Sequence, residues 1–132
     1  MVNCKWWIVN DELWDNVIKN KSFNFALRVV KLHQFLNQEK KEYVLSKQLL
    51  RSGTAIGALI REAEQAESKL DFIHKLAIAQ KKANETDYWL ELLFRSEYLN
   101  ETQFQSLKND IIEINKILAS IIITTRQRIG KK

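Results

Sequence analysis

An all-α fold, an antiparallel up-and-down four-helix bundle, follows from three features of this sequence. Proline is absent and glycine occurs only three times in 132 residues. Sheet proteins need turn residues at frequent intervals, so a chain with so few can turn only a few times. Four segments carry apolar residues at alternating spacings of four and three, which is the period of one helix face. The breaks between those segments are short and polar, and short connections make successive helices antiparallel neighbours.

The first helix is expected from about Ser22 to Asn37, with Phe25, Val29, Leu32 and Leu36 on its buried face. The polar run Asn37-Gln38-Glu39-Lys40-Lys41-Glu42 ends it. The second is expected from about Tyr43 to Ala66, with Leu45, Leu49, Ser52, Ile56, Leu59 and Ala63 as its seam. It contains Gly53 and Gly57, and each mid-helix glycine costs about 1 kcal/mol relative to alanine. Close approach of another helix is the ordinary compensation; a backbone opened to a ligand is the alternative. The third helix opens at Ser68, where Ser68-Lys69-Leu70-Asp71 has the spacing of a capping box. Its seam is Phe72, Leu76, Ala79, Ala83, Thr86, Leu90 and Leu93, and it can run to Tyr98. The fourth opens at a second such spacing, Thr102-Gln103-Phe104-Gln105. It continues through Phe104, Leu107, Ile111, Ile114, Leu118, Ile121 and Thr125. Isoleucine is a mediocre helix former, but packing of a sustained seam outweighs that propensity.

Ten further large apolar residues lie off these seams: Leu50, Ile60, Ile73, Tyr88, Trp89, Phe94, Ile112, Ile117, Ile122 and Ile123. Some must widen the core stripe. The rest would form exposed patches on a monomer, which predicts self-association. Tyr88 and Trp89 are the expected interface anchors, because large aromatics dominate interface energetics.

The expected organisation is an N-terminal extension over residues 1–14, carrying Trp6, Trp7 and Trp14, a bundle over 15–128 and a basic tail over 129–132. Cys4 is the single cysteine, so neither an intramolecular disulfide nor a cysteine metal site can form. The N-terminal stretch lacks the pattern of a signal peptide, and no window of 18 residues is apolar enough to span a membrane. A cytoplasmic protein is expected.

No recognisable catalytic constellation is present. Asp71 and His74 have the i, i+3 spacing found in di-iron bundles, but those need two such elements and further inward carboxylates. The last helix offers Asp110 and Glu113 and no histidine. There is no phosphate-binding glycine loop, nucleophile elbow or His-Glu-x-x-His. The expectation is therefore a non-enzyme with no metal and no cofactor. Formal net charge is +5, which favours a polyanionic partner. Candidate phosphate contacts are Arg28 and Lys31 on the first helix, Lys47 and Arg51 on the second, and Arg126 and Arg128 near the end of the chain. Basic residues at a helix C-terminus also complement its dipole, which is the structural alternative for the last pair.

The centre of the chain carries a pattern: Leu49-Leu50-Arg51-Ser52-Gly53-Thr54-Ala55-Ile56-Gly57, Glu62-Ala63, the run from Ser68 to Ala79, and Lys82-Ala83-Asn84-Glu85-Thr86-Asp87-Tyr88-Trp89-Leu90. It resembles the four-helix-bundle family of proteins encoded in 23S rRNA intervening sequences. Ser22 to Leu32 resembles that family's first helix, and the resemblance covers about residues 15–125. It implies an up-and-down bundle and a ring-like homopentamer. A related branch, the accessory variability determinant of diversity-generating retroelements, is basic and binds nucleic acid and a reverse transcriptase. The tryptophan-bearing N-terminus stands outside the family pattern, and Ala58-Leu59-Ile60-Arg61 replaces a stretch in which the family more often has asparagine. Two functions follow as expectations: an oligomeric bundle binding RNA or DNA through basic surfaces, or a protein-interaction scaffold, for example for a polymerase, with incidental charge.

Overall fold

The computed structural model describes residues 17–130, without the side chains of the last two. The tryptophan-bearing N-terminus, Cys4, Lys131 and Lys132 lie outside the described residues. Four helices follow one another: α1 (Lys19–Gln38), α2 (Leu45–Ala63), α3 (Lys69–Arg95) and α4 (Glu101–Gly130). The predicted second helix is shorter at both ends than expected. Glu42 explains its start: the carboxylate accepts from the amides of Val44, Leu45 and Ser46 at 2.5–3.2 Å, closing the chain into a turn before the first helical residue.

The helices pack as a closed four-helix bundle in which each is antiparallel to its neighbours. Ser46 lies against His33, Gly53 against Val29 and Gly57 against Ser22, so α2 climbs as α1 descends. Ser52 meets Thr86 and Glu62 meets Lys75 across α2 and α3. Phe94 stacks on Phe104, and Asp87 pairs with Lys108, across α3 and α4. Arg28 pairs with Asp110, and Lys21 with Glu113, across α4 and α1.

The seams of α1 and α3 are buried at every predicted position. In α4 the seam residues Leu107, Ile111, Ile114, Leu118, Ile121 and Thr125 are buried and Phe104 is half-buried. In α2 the register is corrected. Leu45 and Leu59 are only half-buried, while Gly53 and Ile60 lie in the core. The reason is that α2 has two large neighbours: Ser52 faces α3 while Gly53 faces α1. Of the ten off-seam residues, Ile60, Ile73 and Ile122 are buried, and Leu50, Trp89, Phe94 and Ile117 pack against the core. Tyr88, Ile112 and Ile123 are exposed.

The helix starts follow from local chemistry. The Ser68 hydroxyl accepts from the Asp71 amide at 3.0 Å, and the Asp71 carboxylate reaches back to the Glu67 amide at 3.2 Å. The cap of α4 is corrected by two residues from the expected Thr102. Asn100 Oδ1 accepts from the Gln103 amide at 2.8 Å, and Gln103 Oε1 accepts from the Asn100 amide at 3.0 Å. Asparagine is a stronger N-cap than threonine, and Asn-x-x-Gln keeps the reciprocal bonding of a capping box. At the end of α3 the Tyr98 amide donates to Leu93 O and the Glu97 amide to Phe94 O, a Schellman pattern. Glu97 takes the left-handed position at φ 69°, usually given to glycine.

Candidate nucleic-acid interface and association face

Helices α1 and α2 form the basic half of the bundle. They carry Lys19, Lys21, Arg28, Lys31, Lys47, Arg51 and Arg61, against Glu62 as their one acid. Three of these cations are drawn to acids on other elements. Lys19 pairs with Glu64, Lys21 with Glu113 at 2.9 Å, and Arg28 with Asp110 at 2.5 Å. Arg28 also donates to the Ser106 hydroxyl at 2.7 Å, so its guanidinium is a clasp between α1 and α4. Lys31, Lys47 and Arg51 are exposed and pair with no acid among the described residues. Arg61 lies over the Phe23 ring, 5.2 Å from its centroid. Arg126 and Arg128 are exposed on the last turns of α4, at the opposite end from Lys31 and Lys47. The six predicted contacts therefore divide into one ion-paired residue, three free cations on the α1–α2 side and two at the far end of α4.

Between the free cations runs an apolar stripe that the sequence reasoning missed. Phe23, Leu27 and Val30 are 49%, 48% and 37% exposed. At 100° per residue they fall within about 60° of one another, on the side of α1 away from its core seam. Their four-three spacing was legible, but the stronger four-three series of Phe25, Val29, Leu32 and Leu36 claims the core. The stripe borders a groove of about 290 Å³ lined by Phe23, Ala26, Thr54, Gly57, Ala58 and Arg61. On the same wheel Lys31 lies on the α4 side of the stripe, and Lys47 and Arg51 lie on the outward face of α2.

The predicted interface aromatics sit on α3, across the bundle from α1. Tyr88 is 59% exposed and meets Trp89 edge-on, with centroids 5.0 Å apart. Trp89 is half-buried against the core and donates its indole N–H to Glu85 at 3.1 Å. Much of its ring is thus used within its own bundle.

A larger cavity, about 540 Å³, opens at the end where α1 and α3 finish and α4 begins. Its walls include Phe35, Phe94, Tyr98, Lys40, Arg95 and Glu97. Lys40 lies over the Phe35 ring at 5.9 Å, and Arg95 has one loose contact with Glu91 at 3.5 Å.

The histidines have structural partners or face solvent. His33 Nδ1 lies 3.2 Å from Ser46 O, and its Nε2 lies 3.0 Å from Asn37 Nδ2. The two contacts suit a ring that donates from Nδ1 and accepts at Nε2. His74 is exposed, while Asp71 serves the helix cap. Among the described residues no three histidine, cysteine or acidic side chains gather as metal ligands. None of the described helices is long and apolar enough to cross a membrane.

These features define a small, basic, all-α four-helix bundle with an uncovered apolar face. The chain belongs to the 23S rRNA-intervening sequence protein family, which it matches over residues 15–120. It is also similar to a solved structure from Bacteroides thetaiotaomicron, a protein of unknown function from the S23 ribosomal protein family. Sequence identity to that structure is 63%, with a TM-score of 0.81, and the match covers 83% of this chain and 97% of that one. Comparison with curated proteins finds no match.

Proposed function

We propose that this protein is a non-catalytic, self-associating helical bundle that contacts RNA phosphates through its α1–α2 side. The observation that carries the reading is the face of α1 and α2: three free cations, Lys31, Lys47 and Arg51, flank an apolar stripe, and Glu62 is the one acid on either helix. Exposed apolar side chains at three successive turn positions favour a protein contact. Tyr88 lies across the bundle from them, and two different patches on opposite sides of a subunit suit a heterologous, ring-forming interface. In such a ring Tyr88 and the free edge of Trp89 of one copy would meet Phe23, Leu27 and Val30 of the next. The resemblance to the family makes five the expected number of copies. A ring would repeat the sparse cations of each copy into a polyvalent surface for a polyanion.

Light scattering tests the assembly. Wild type is expected to be oligomeric at micromolar concentration and Leu27→Lys to be shifted towards monomer with an unchanged helical circular dichroism spectrum at low temperature; a monomeric wild type would overturn it. A salt titration of single-stranded RNA binding tests the phosphate contacts. Removing Lys47 and Arg51 should lower the slope of log affinity against log salt by about 1.4, at roughly 0.7 per lost single-strand contact. An unchanged slope would remove those residues from the interface. The second reading, a scaffold for a different protein, is favoured by the apolar stripe together with the wide separation of Arg126 and Arg128 from the other cations. Under that reading the protein binds RNA no better than other basic proteins of similar charge.

A further inference from the structure

The geometry points to the cavity between the ends of α1 and α3 and the start of α4 as a nucleotide site, where a base stacks on aromatic walls and its phosphate meets Lys40 and Arg95. It rests on the RNA reading above and names where one nucleotide of the strand would sit. The size, about 540 Å³, falls within the usual range for small-ligand pockets, roughly 300–1,000 Å³. Its chemistry is aromatic and rich in donors. Phe35, Phe94 and Tyr98 supply rings. Phe94 is already stacked on Phe104, with centroids 4.5 Å apart and planes 5° apart, so the wall is a fixed platform. Stacking of a base on such rings is tolerant of sequence.

The donors around these rings are largely unused by the protein. Lys40 forms no ion pair among the described residues and rests on the Phe35 ring, where a planar ligand could displace it. Arg95 is three-quarters exposed and holds Glu91 by a single nitrogen at 3.5 Å. Asn100 and Gln103 use their side-chain oxygens for the α4 cap, which leaves both amide nitrogens free to donate. A ligand offering carbonyl or ring-nitrogen acceptors and a negative group matches this set, and a nucleotide offers all of them. Glu97 is the one acid in the wall, against two cations. Lys47 and Arg51 occupy the first two turns of α2, and α2 starts at the end of the bundle where this cavity opens.

The test uses the full chain with two probes: adenosine monophosphate, and a short single-stranded oligoadenylate carrying 2-aminopurine. The variant is Lys40→Gln with Arg95→Gln, two exposed positions whose loss should leave the circular dichroism melt unchanged. The expected result is quenching of 2-aminopurine on binding, roughly tenfold or greater weakening in the variant, and competition by the mononucleotide. RNA binding without quenching, equally tight in the variant, would overturn the cavity while leaving the RNA reading in place. Binding of the mononucleotide alone, dependent on the two cations, would keep the nucleotide site and overturn the RNA reading. Failure of both probes would overturn both.

Discussion

Replacing Gly53 by alanine should destabilise the protein, although the same change in an isolated helix would help. A β-carbon at Gly53 would lie 2.9 Å from Val29 Cγ2 and 3.0 Å from Val29 Cγ1. Val29 is fully buried and β-branched, and a helix leaves valine essentially one side-chain rotamer, so it cannot swing aside. The remaining response is to push α1 and α2 apart, and such overpacking typically costs about 1–3 kcal/mol. Helix propensity returns about 1 kcal/mol, because alanine replaces glycine in a helix interior. The net expectation is a loss of about 0–2 kcal/mol, growing well beyond that for Gly53→Leu. Gly57 is the internal control. Its added carbon would meet Ser22 O and Oγ at 3.5 Å, an ordinary contact, so Gly57→Ala should gain up to about 1 kcal/mol. Urea unfolding reads both, with a change in midpoint at constant m-value. Each kcal/mol corresponds to about 3–5 °C in melting temperature for a chain of this size. Equal stabilisation by the two alanines would refute the close-packing argument. Pairing Gly53→Ala with Val29→Ala should show favourable coupling, since removal of the valine methyls relieves the clash.

Glu97→Gly should stabilise α3 by about 0.5–1 kcal/mol, because glycine tolerates the left-handed backbone that glutamate holds at φ 69°; chemical denaturation measures it, and a loss would mean that the glutamate side chain supports the turn. Glu42→Ala should cost about 1–2 kcal/mol by orphaning the amides of Val44, Leu45 and Ser46, with local hydrogen exchange rising first at the start of α2. The hydroxyls of Ser52 and Thr86 lie 2.9 Å apart in the core. Thr86→Val alone should cost about 1 kcal/mol, since it removes the bond to Ser52 and the one to Lys82 O while Ser52 keeps Leu49 O at 3.4 Å. Ser52→Ala with Thr86→Val should cost less than the sum of the single changes, because either change alone already removes the bond between them. Additive losses in a double-mutant cycle would show that the pair does not act as one unit.

Much of the bundle was legible from the spacing of apolar residues alone. The faces of α1 and α3 and the Ser68 cap follow from local periodicity and hydrogen-bonding chemistry, which the chain carries wherever it folds. So does the choice of helices over strands, since a chain with three glycines and no proline has little means to turn. The sequence also marked Gly53 and Gly57 as a place where helices could approach. Only the packed structure separated them, because which glycine meets a neighbour depends on the rotation of α2 against α1. The same rotation decided that Ile60, not Leu59, enters the core, and the rotations of α3 and α4 against their own neighbours decided that Ile73 and Ile122 join it while Tyr88 stays outside. Cap choice at α4 turned on two candidate spacings offset by two residues, and the Schellman turn at Glu97 fixed where the helix could begin. Charge was legible as a sum and a list, but its function was not. Whether Arg28 is free or clasped depends on Asp110, 82 residues away, and the stripe of Phe23, Leu27 and Val30 becomes a surface only when other residues of α1 have taken the core. Long-range pairing of this kind is set by the relative rotation and register of helices, which a periodicity within one helix does not encode.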